Sequence, residues 1–92
     1  MNLGKAIKLI RTQRALSQSD LAELTGLSVS YLSLIERNKR DPTLSTICNI
    51  ASKLYIPVSL LMFLADEGEA DKIIGKKLAT MLAYATLQII NT

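Results

Sequence analysis

Gly26 separates two short segments, each opened by a serine and each carrying apolar residues at helical spacing. Ser17 precedes the first segment and Ser28 the second, and serine is a strongly preferred residue at a helix N-cap. Glycine adopts the left-handed conformation that commonly ends a helix. The sequence therefore predicts one helix over residues 18–25 and another over 29–36, joined by a tight turn.

The apolar residues of these two segments fit helices that cross and share a core. Leu21, Leu27, Leu32 and Ile35 fall where the shared core would lie, and Ala22 is small where the helices must approach closely. Two short helices joined by a turn that contains glycine form a helix-turn-helix. Asp20, three residues after Ser17, completes a capping-box-like start for the first helix.

The flanking sequence predicts three further helices. Residues 3–14 carry apolar side chains at i, i+4 and i+7, which is the period of an amphipathic helix. Pro42 marks a loop, after which Ser45 is placed to cap a fourth helix, and a fifth helix is expected over about 58–65. Since no segment alternates as a strand would, we predict an all-α fold: a five-helix domain over residues 1–65, followed by an acidic hinge and an apolar C-terminal helix over residues 66–92.

Composition excludes several kinds of function. The 92 residues include no His and a single Cys, Cys48, which we interpret as a small core residue. Disulfide frameworks, zinc bound by Cys and His, and His-based catalysis are thereby excluded. There is also no Gly-rich phosphate loop, so we expect no enzyme, no cofactor, no metal and no small-molecule ligand. No basic-then-apolar signal opens the chain, which makes the cytoplasm the expected location.

Basic residues are concentrated in the first two-thirds of the chain. Residues 1–65 hold eight Lys or Arg against four Asp or Glu, and four acidic residues follow within 66–71. A basic surplus of this kind suits a polyanionic partner. On charge alone, ordinary solubility charge is the alternative interpretation of the net +3.

Three short stretches carry a family resemblance. "Q-x-x-L-A-x-x-x-G-L-S", then "Y-L-S-x-I-E-R-N", then "P-T-L" make residues 3–65 resemble the phage repressor/Cro (XRE-type) helix-turn-helix family. Restriction–modification controller proteins and SinR-like regulators are similar. The resemblance implies that the third helix enters the DNA major groove and that the second touches the backbone. It also implies two-fold dimers whose half-sites lie about 34 Å apart.

The resemblance assigns DNA-binding roles to eleven residues. Gln18 and Ser19 would contact a phosphate at the start of the second helix, and Lys39 and Arg40 would reach phosphates from the following loop. Tyr31 would contact the groove or a phosphate, or else pack its ring on a neighbouring helix. The full set is Gln18, Ser19, Ser28, Val29, Ser30, Tyr31, Ser33, Leu34, Arg37, Lys39 and Arg40.

Two positions bear on the scaffold. The resemblance pairs Glu36 with Arg11 as a structural, partly buried ion pair, so this acidic residue is not expected to contact DNA. Relatives commonly have Gly or Asn near position 15, where a left-handed residue ends the first helix. Because this chain has Ala15 there, we expect a differently built end.

The C-terminal segment carries an apolar stripe at helical spacing. Its members are Ile74, Leu78, Met81, Leu82, Ala85 and Ile89. The 15 uncharged residues from Leu78 to Thr92 fall short of the roughly 20 needed to span a membrane, so no membrane role is expected. An exposed stripe of this size needs a partner. We prefer a homodimer interface, with packing on its own domain as the alternative.

Together these features predict a sequence-specific regulator of transcription, a repressor that binds a palindromic operator on double-stranded DNA as a homodimer. The alternative is a protein-interaction module, such as an antitoxin-type regulator whose C-terminal helix binds a different protein.

Overall fold

A computed structural model describes residues 2–66 of the chain, which form five α-helices. The helices are α1 (Leu3–Gln13), α2 (Gln18–Thr25), α3 (Val29–Glu36), α4 (Leu44–Lys53) and α5 (Val58–Asp66). No strand occurs between residues 2 and 66, which confirms the predicted all-α fold. In the same residues no single helix is long and apolar enough to cross a membrane, although α4 and α5 together meet that test as a pair bent by 105°.

Local capping chemistry fixes the start of α2 and both ends of the turn between α2 and α3. The Ser17 hydroxyl accepts from the Asp20 N–H at 3.0 Å, and the Asp20 carboxylate accepts from the Ser17 N–H at 2.9 Å. The hydrogen bond from the Ser17 N–H is the main cause that lowers the pKa of Asp20. Gly26 ends α2 at φ 77°, and the Ser28 hydroxyl caps α3. These three predicted caps are confirmed.

The start of α4 differs from its predicted position. Thr43, not Ser45, is the N-cap, because the backbone is still extended at Thr43 and its hydroxyl accepts from the Thr46 N–H at 3.2 Å. Ser45 is the second residue of the helix. The chain enters α4 as soon as Pro42 has been passed, so the first residue able to cap takes that role.

One hydrophobic core joins the five helices, with α1 packed against both α3 and α5. Its largest fully buried side chains are Ile7, Ile10, Leu21, Leu32, Ile35, Ile50, Leu54 and Leu61. Cys48 is exposed, so its assignment to the core was wrong. A turn of about 100° per residue carries it out of the α4 stripe formed by Ile47, Ile50 and Ala51.

The end of α1 keeps a left-handed residue although this position is an alanine. Arg14 is the C-cap, Ala15 follows at φ 58°, and the Leu16 N–H donates to the Arg11 carbonyl at 3.1 Å. The expectation of a differently built end was therefore wrong. The hydrogen bonds at the end of α1 determine the backbone conformation there. They hold Ala15 in the left-handed region, which is unfavourable for a residue that carries a Cβ.

We expect Ala15→Gly to raise the free energy of unfolding by about 0.5–1 kcal/mol, because relief of the left-handed conformation outweighs the entropy of an added glycine. Urea denaturation should show a higher midpoint at an unchanged slope. Ala22→Gly is the matched control: Ala22 lies within α2, so a glycine there should lower the stability of the protein. A lower midpoint for Ala15→Gly would show that position 15 carries no strain.

Candidate nucleic-acid interface

The start of α2 and the outer side of α3 enclose a shallow depression of about 380 Å³. Six of the eleven residues predicted to bind DNA line it: Gln18, Val29, Ser30, Ser33, Leu34 and Arg37. The crossing of the two helices brings these side chains together, because Gln18 opens α2 while the other five lie on α3 or at its C-cap. Six of the predicted residues thus share one surface in the structure.

The other five predicted residues do not line this depression. Ser19 is exposed in the first turn of α2, and Ser28 is exposed as the α3 N-cap. Tyr31 is half-buried and packs against the core, while Lys39 and Arg40 are exposed in the loop after α3. The Arg40 guanidinium carbon lies 6.0 Å from the centre of the Tyr31 ring. The structure therefore links Tyr31 to the loop and keeps it out of the depression.

The depression combines apolar surface with hydroxyls and a cation. Leu34 is half-buried and Val29 is 42% exposed, and both stand beside the hydroxyls of Ser30 and Ser33. The Arg37 side chain is exposed and its Nε donates to the Ser33 carbonyl at 3.4 Å. Leu34 is an apolar residue on α3 that lines this surface, whereas Leu32 and Ile35 of the same helix are buried in the core.

Glu36 and Arg11 form a buried, bidentate ion pair beneath α3. Arg11 Nε donates to Glu36 Oε2 at 2.8 Å, and Arg11 Nη2 donates to Glu36 Oε1 at 3.0 Å. A third guanidinium nitrogen, Nη1, donates to the Leu16 carbonyl at 2.7 Å. The Glu36 side chain is only 2% exposed. Its carboxylate therefore belongs to the scaffold that joins α1 to α3, away from the outer surface of α3.

The sequence did not reveal how Gln18 is held. Its side-chain Nε2 donates to Glu36 Oε1 at 3.1 Å, so the ion pair also orients the first side chain of α2. With its nitrogen turned towards Glu36, the amide presents its oxygen away from the pair. Only the three-dimensional crossing of α2 and α3 brings residues 18 and 36 into contact.

Asn38 is a residue whose structural role sequence reasoning missed. It adopts φ 56° directly after α3, its Oδ1 accepts from the Gly4 N–H at 3.1 Å, and its Nδ2 donates to Asn2 Oδ1 at 2.7 Å. These bonds tie the end of α3 to the start of α1 and set the direction of Lys39 and Arg40. The signal was present in the sequence, since asparagine is enriched among non-glycine residues with positive φ.

The charges on this side of the domain favour the binding of an anion. Arg37, Lys39 and Arg40 place three cations within four residues at the C-terminal end of α3, and all three are exposed. Among residues 2–66, no group of three or more His, Cys, Asp or Glu side chains meets as a metal site requires. The chemistry available here is contact with phosphates through cations and contact with polar and apolar groups through α3.

Known proteins share both the sequence and the fold of this region. A family profile described as helix-turn-helix matches residues 7–61. The immunity repressor protein of Bacillus phage phi105 is 47% identical over 62 residues, which are 67% of this chain and 43% of that protein. Control protein C.SmaI of Serratia marcescens is 37% identical over 60 residues, which are 65% of this chain and 71% of that protein.

A solved structure agrees with these matches. The restriction-modification controller protein C.AhdI of Aeromonas hydrophila superposes with a TM-score of 0.64 at 37% identity, covering 65% of this chain and 91% of that one. The matched relatives are regulators, not enzymes. The profile, the relatives and the fold agree, and the chain belongs to the helix-turn-helix family, with a domain of the kind found in DNA-binding transcriptional regulators.

Proposed function

We propose that this chain is a sequence-specific regulator, a repressor, that binds a palindromic operator on double-stranded DNA as a homodimer, with α3 in the major groove. The observation that carries the proposal is the convergence of Gln18, the α3 side chains and Arg37 on one surface, with Lys39 and Arg40 exposed in the loop that follows α3. The name of the phage phi105 relative, an immunity repressor, supports the direction of regulation. Such a protein would act where the genome lies, in the cytoplasm.

The first two turns of α3 would read the bases. Val29 and Leu34 suit contact with a thymine methyl group, and the hydroxyls of Ser30 and Ser33 suit several base edges. Arg37, one turn further along, either bonds to a guanine in two places or binds a phosphate. The depth of insertion would be greatest at the N-terminal turn, which is the geometry of a recognition helix.

Backbone contacts would flank the reading surface on both sides. Gln18 and Ser19 lie at the N-terminus of α2, where N–H groups and the helix dipole attract a phosphate. Lys39 and Arg40 would grip a phosphate at the far end of α3. Since each neutralised phosphate releases counterions, the affinity should fall steeply as salt rises.

We expect Arg37→Ala combined with Lys39→Ala to lower operator affinity roughly 100-fold at physiological salt, because two cations leave the proposed contact surface. The operator would first be selected from a random DNA pool, and binding would then be followed by gel shift. Lys8→Ala combined with Lys53→Ala is the matched control, since it removes the same charge from exposed positions elsewhere on the domain. Intact binding by the first variant, with an unchanged circular dichroism spectrum, would refute the proposed surface.

The homodimer part of the proposal concerns the stripe of Ile74, Leu78, Met81, Leu82, Ala85 and Ile89, which lies outside the described residues. We expect Met81→Glu or Leu82→Glu to dissociate the dimer and to weaken DNA binding with it, because a charge at the centre of an apolar interface is strongly unfavourable. Sedimentation velocity at several concentrations measures the first effect. Thr80→Glu, on the opposite side of the predicted helix, is the control.

The outcomes of this experiment separate three arrangements. A dimer that dissociates only with the stripe variants supports the homodimer. A dimer that survives them shows that the stripe packs within its own chain. A wild-type monomer would favour the interaction module, in which the same stripe binds a different protein.

A further inference from the structure

We propose that Tyr31 is a positioning residue for Arg40: its ring holds the guanidinium ready for a phosphate, and its hydroxyl takes no part in binding. This inference rests on the proposed DNA-binding function. It assigns Tyr31 a role different from the one that the sequence implied, since the ring serves the loop and not the groove.

The geometry that carries the inference is the stacking of Arg40 on Tyr31. The Arg40 guanidinium carbon lies over the Tyr31 ring at 6.0 Å from its centre, at the outer limit of the distance over which a cation is attracted to an aromatic face. Tyr31 is half-buried and packed against the core, so its ring has few orientations available. Arg40 is exposed and long. The ring is therefore the fixed partner and the guanidinium the one that gains order.

The loop that carries Arg40 is already aimed by the backbone. Asn38 turns the chain at φ 56° and is hydrogen bonded to both Asn2 and Gly4. That turn fixes where Lys39 and Arg40 leave α3, but it does not restrict the long Arg40 side chain. The stack on Tyr31 supplies this second restraint, and order gained before binding reduces the entropy lost on contact with a phosphate.

The position of Tyr31 argues against direct reading of the bases. The six residues that line the depression between α2 and α3 do not include it. Its neighbours on α3, Ser30 and Ser33, do line the depression, so the helix turns the tyrosine towards the loop side. The hydroxyl and the ring can be separated by substitution, which makes the proposal testable.

A double-mutant cycle tests the coupling of the two residues. We expect Tyr31→Phe to bind the selected operator within twofold of wild type, and Tyr31→Leu to bind about two- to fivefold more weakly, the size of an exposed cation–π interaction. In an Arg40→Ala background, Tyr31→Leu should have no further effect. Tyr55→Leu is the matched control, because Tyr55 stacks with Arg14 at 5.8 Å at the end of α4, and its loss should leave affinity unchanged.

Two results would overturn the proposal. If Tyr31→Phe weakens binding as much as Tyr31→Leu, the hydroxyl makes the contact. If Tyr31→Leu lowers operator affinity as much in the Arg40→Ala background as in wild type, the tyrosine acts independently of Arg40. Thermal melting of each variant identifies a loss of affinity that comes from unfolding, and Tyr31→Phe keeps the packing of the ring in any case.

A measurement without DNA separates this inference from the proposed function. In the free protein, the aromatic ring should shift the Arg40 side-chain proton resonances upfield in wild type and Tyr31→Phe, and this shift should vanish in Tyr31→Leu. Its absence from wild type would show that the stack does not form in solution. Failure of wild type to bind any selected DNA would refute the proposed function, while the resonance shift would still decide whether Tyr31 orders Arg40.

Discussion

Arg11→Met should lower the free energy of unfolding by about 3–5 kcal/mol, a large part of the stability of a small domain. The substitution removes three guanidinium hydrogen bonds, two to Glu36 and one to the Leu16 carbonyl. The Glu36 side chain, which is only 2% exposed, then keeps the Gln18 amide as its polar partner among residues 2–66. A buried charge without its counter-ion is among the most destabilising changes a protein can undergo.

The double variant Arg11→Met with Glu36→Leu shows where that cost arises. Removal of both charges takes away the desolvated carboxylate, so much of the lost stability should return. Urea denaturation of the two single variants and the double variant gives the coupling energy directly. Lys8→Met, at an exposed position on the same helix, is the control and should change stability by less than about 0.5 kcal/mol. A cost below about 1 kcal/mol for Arg11→Met would show that the pair is solvated.

Loss of the pair should also alter the proposed DNA-reading surface. Glu36 holds the Gln18 side chain at 3.1 Å, and Gln18 lines the depression with Ser30 and Ser33. The double variant would therefore recover stability without recovering the orientation of Gln18. Stability and DNA affinity are thus expected to separate in this variant, which a chemical denaturation curve and a gel shift on the same preparation would reveal.

The helices were predictable because their ends are determined by neighbouring residues. Ser17, Gly26 and Ser28 each act within three or four positions, and each takes its predicted cap role. The same local reasoning failed at the start of α4, where two possible caps, Thr43 and Ser45, lie two residues apart. Cys48 was misplaced because a residue at the edge of an apolar stripe is buried or exposed according to how the helix rotates against its neighbours.

The sequence pattern could group the residues of the proposed site on one side of α3, but it could not predict their contacts. A period of 3.6 residues places Ser30, Ser33 and Arg37 on one side of α3. The hydrogen bond from Gln18 to Glu36 and the stack of Arg40 on Tyr31 depend on how α2 and the loop lie against α3. Positive φ at Ala15 is set by the hydrogen bonds that close α1, which no residue preference indicates.

Gly4 is where the packing of α1 against α3 is closest. A Cβ at this position would lie 2.4 Å from the Ile35 carbonyl oxygen and 2.5 Å from that of Glu36. Both are backbone atoms in the last turn of α3, so no side chain can rotate away to make room. The glycine is therefore required by the approach of two helices and not by its own backbone conformation.

We expect Gly4→Ala to lower the free energy of unfolding by about 3 kcal/mol, because α1 must move away from α3. That movement also disturbs the buried Arg11–Glu36 pair, which joins the two helices. The sign of the change in unfolding free energy tests the close contact, since Gly→Ala on a solvent-exposed helix would stabilise it by about 1 kcal/mol. DNA affinity should fall as well, because the Gly4 N–H donates to Asn38, which aims Lys39 and Arg40. Urea denaturation and a gel shift measure the two effects.

Gly26→Ala is the matched control, because Gly26 has the opposite environment. A Cβ there would meet nothing within 4 Å, but φ is 77°, so the cost is the left-handed conformation alone, about 1–2 kcal/mol. Gly4→Ala should therefore be the more damaging of the two although its backbone is an ordinary helix. If Gly4→Ala were as stable as wild type, α1 and α3 would have to lie further apart than the structure places them, and the link from α1 to the loop of Lys39 and Arg40 would fail with it.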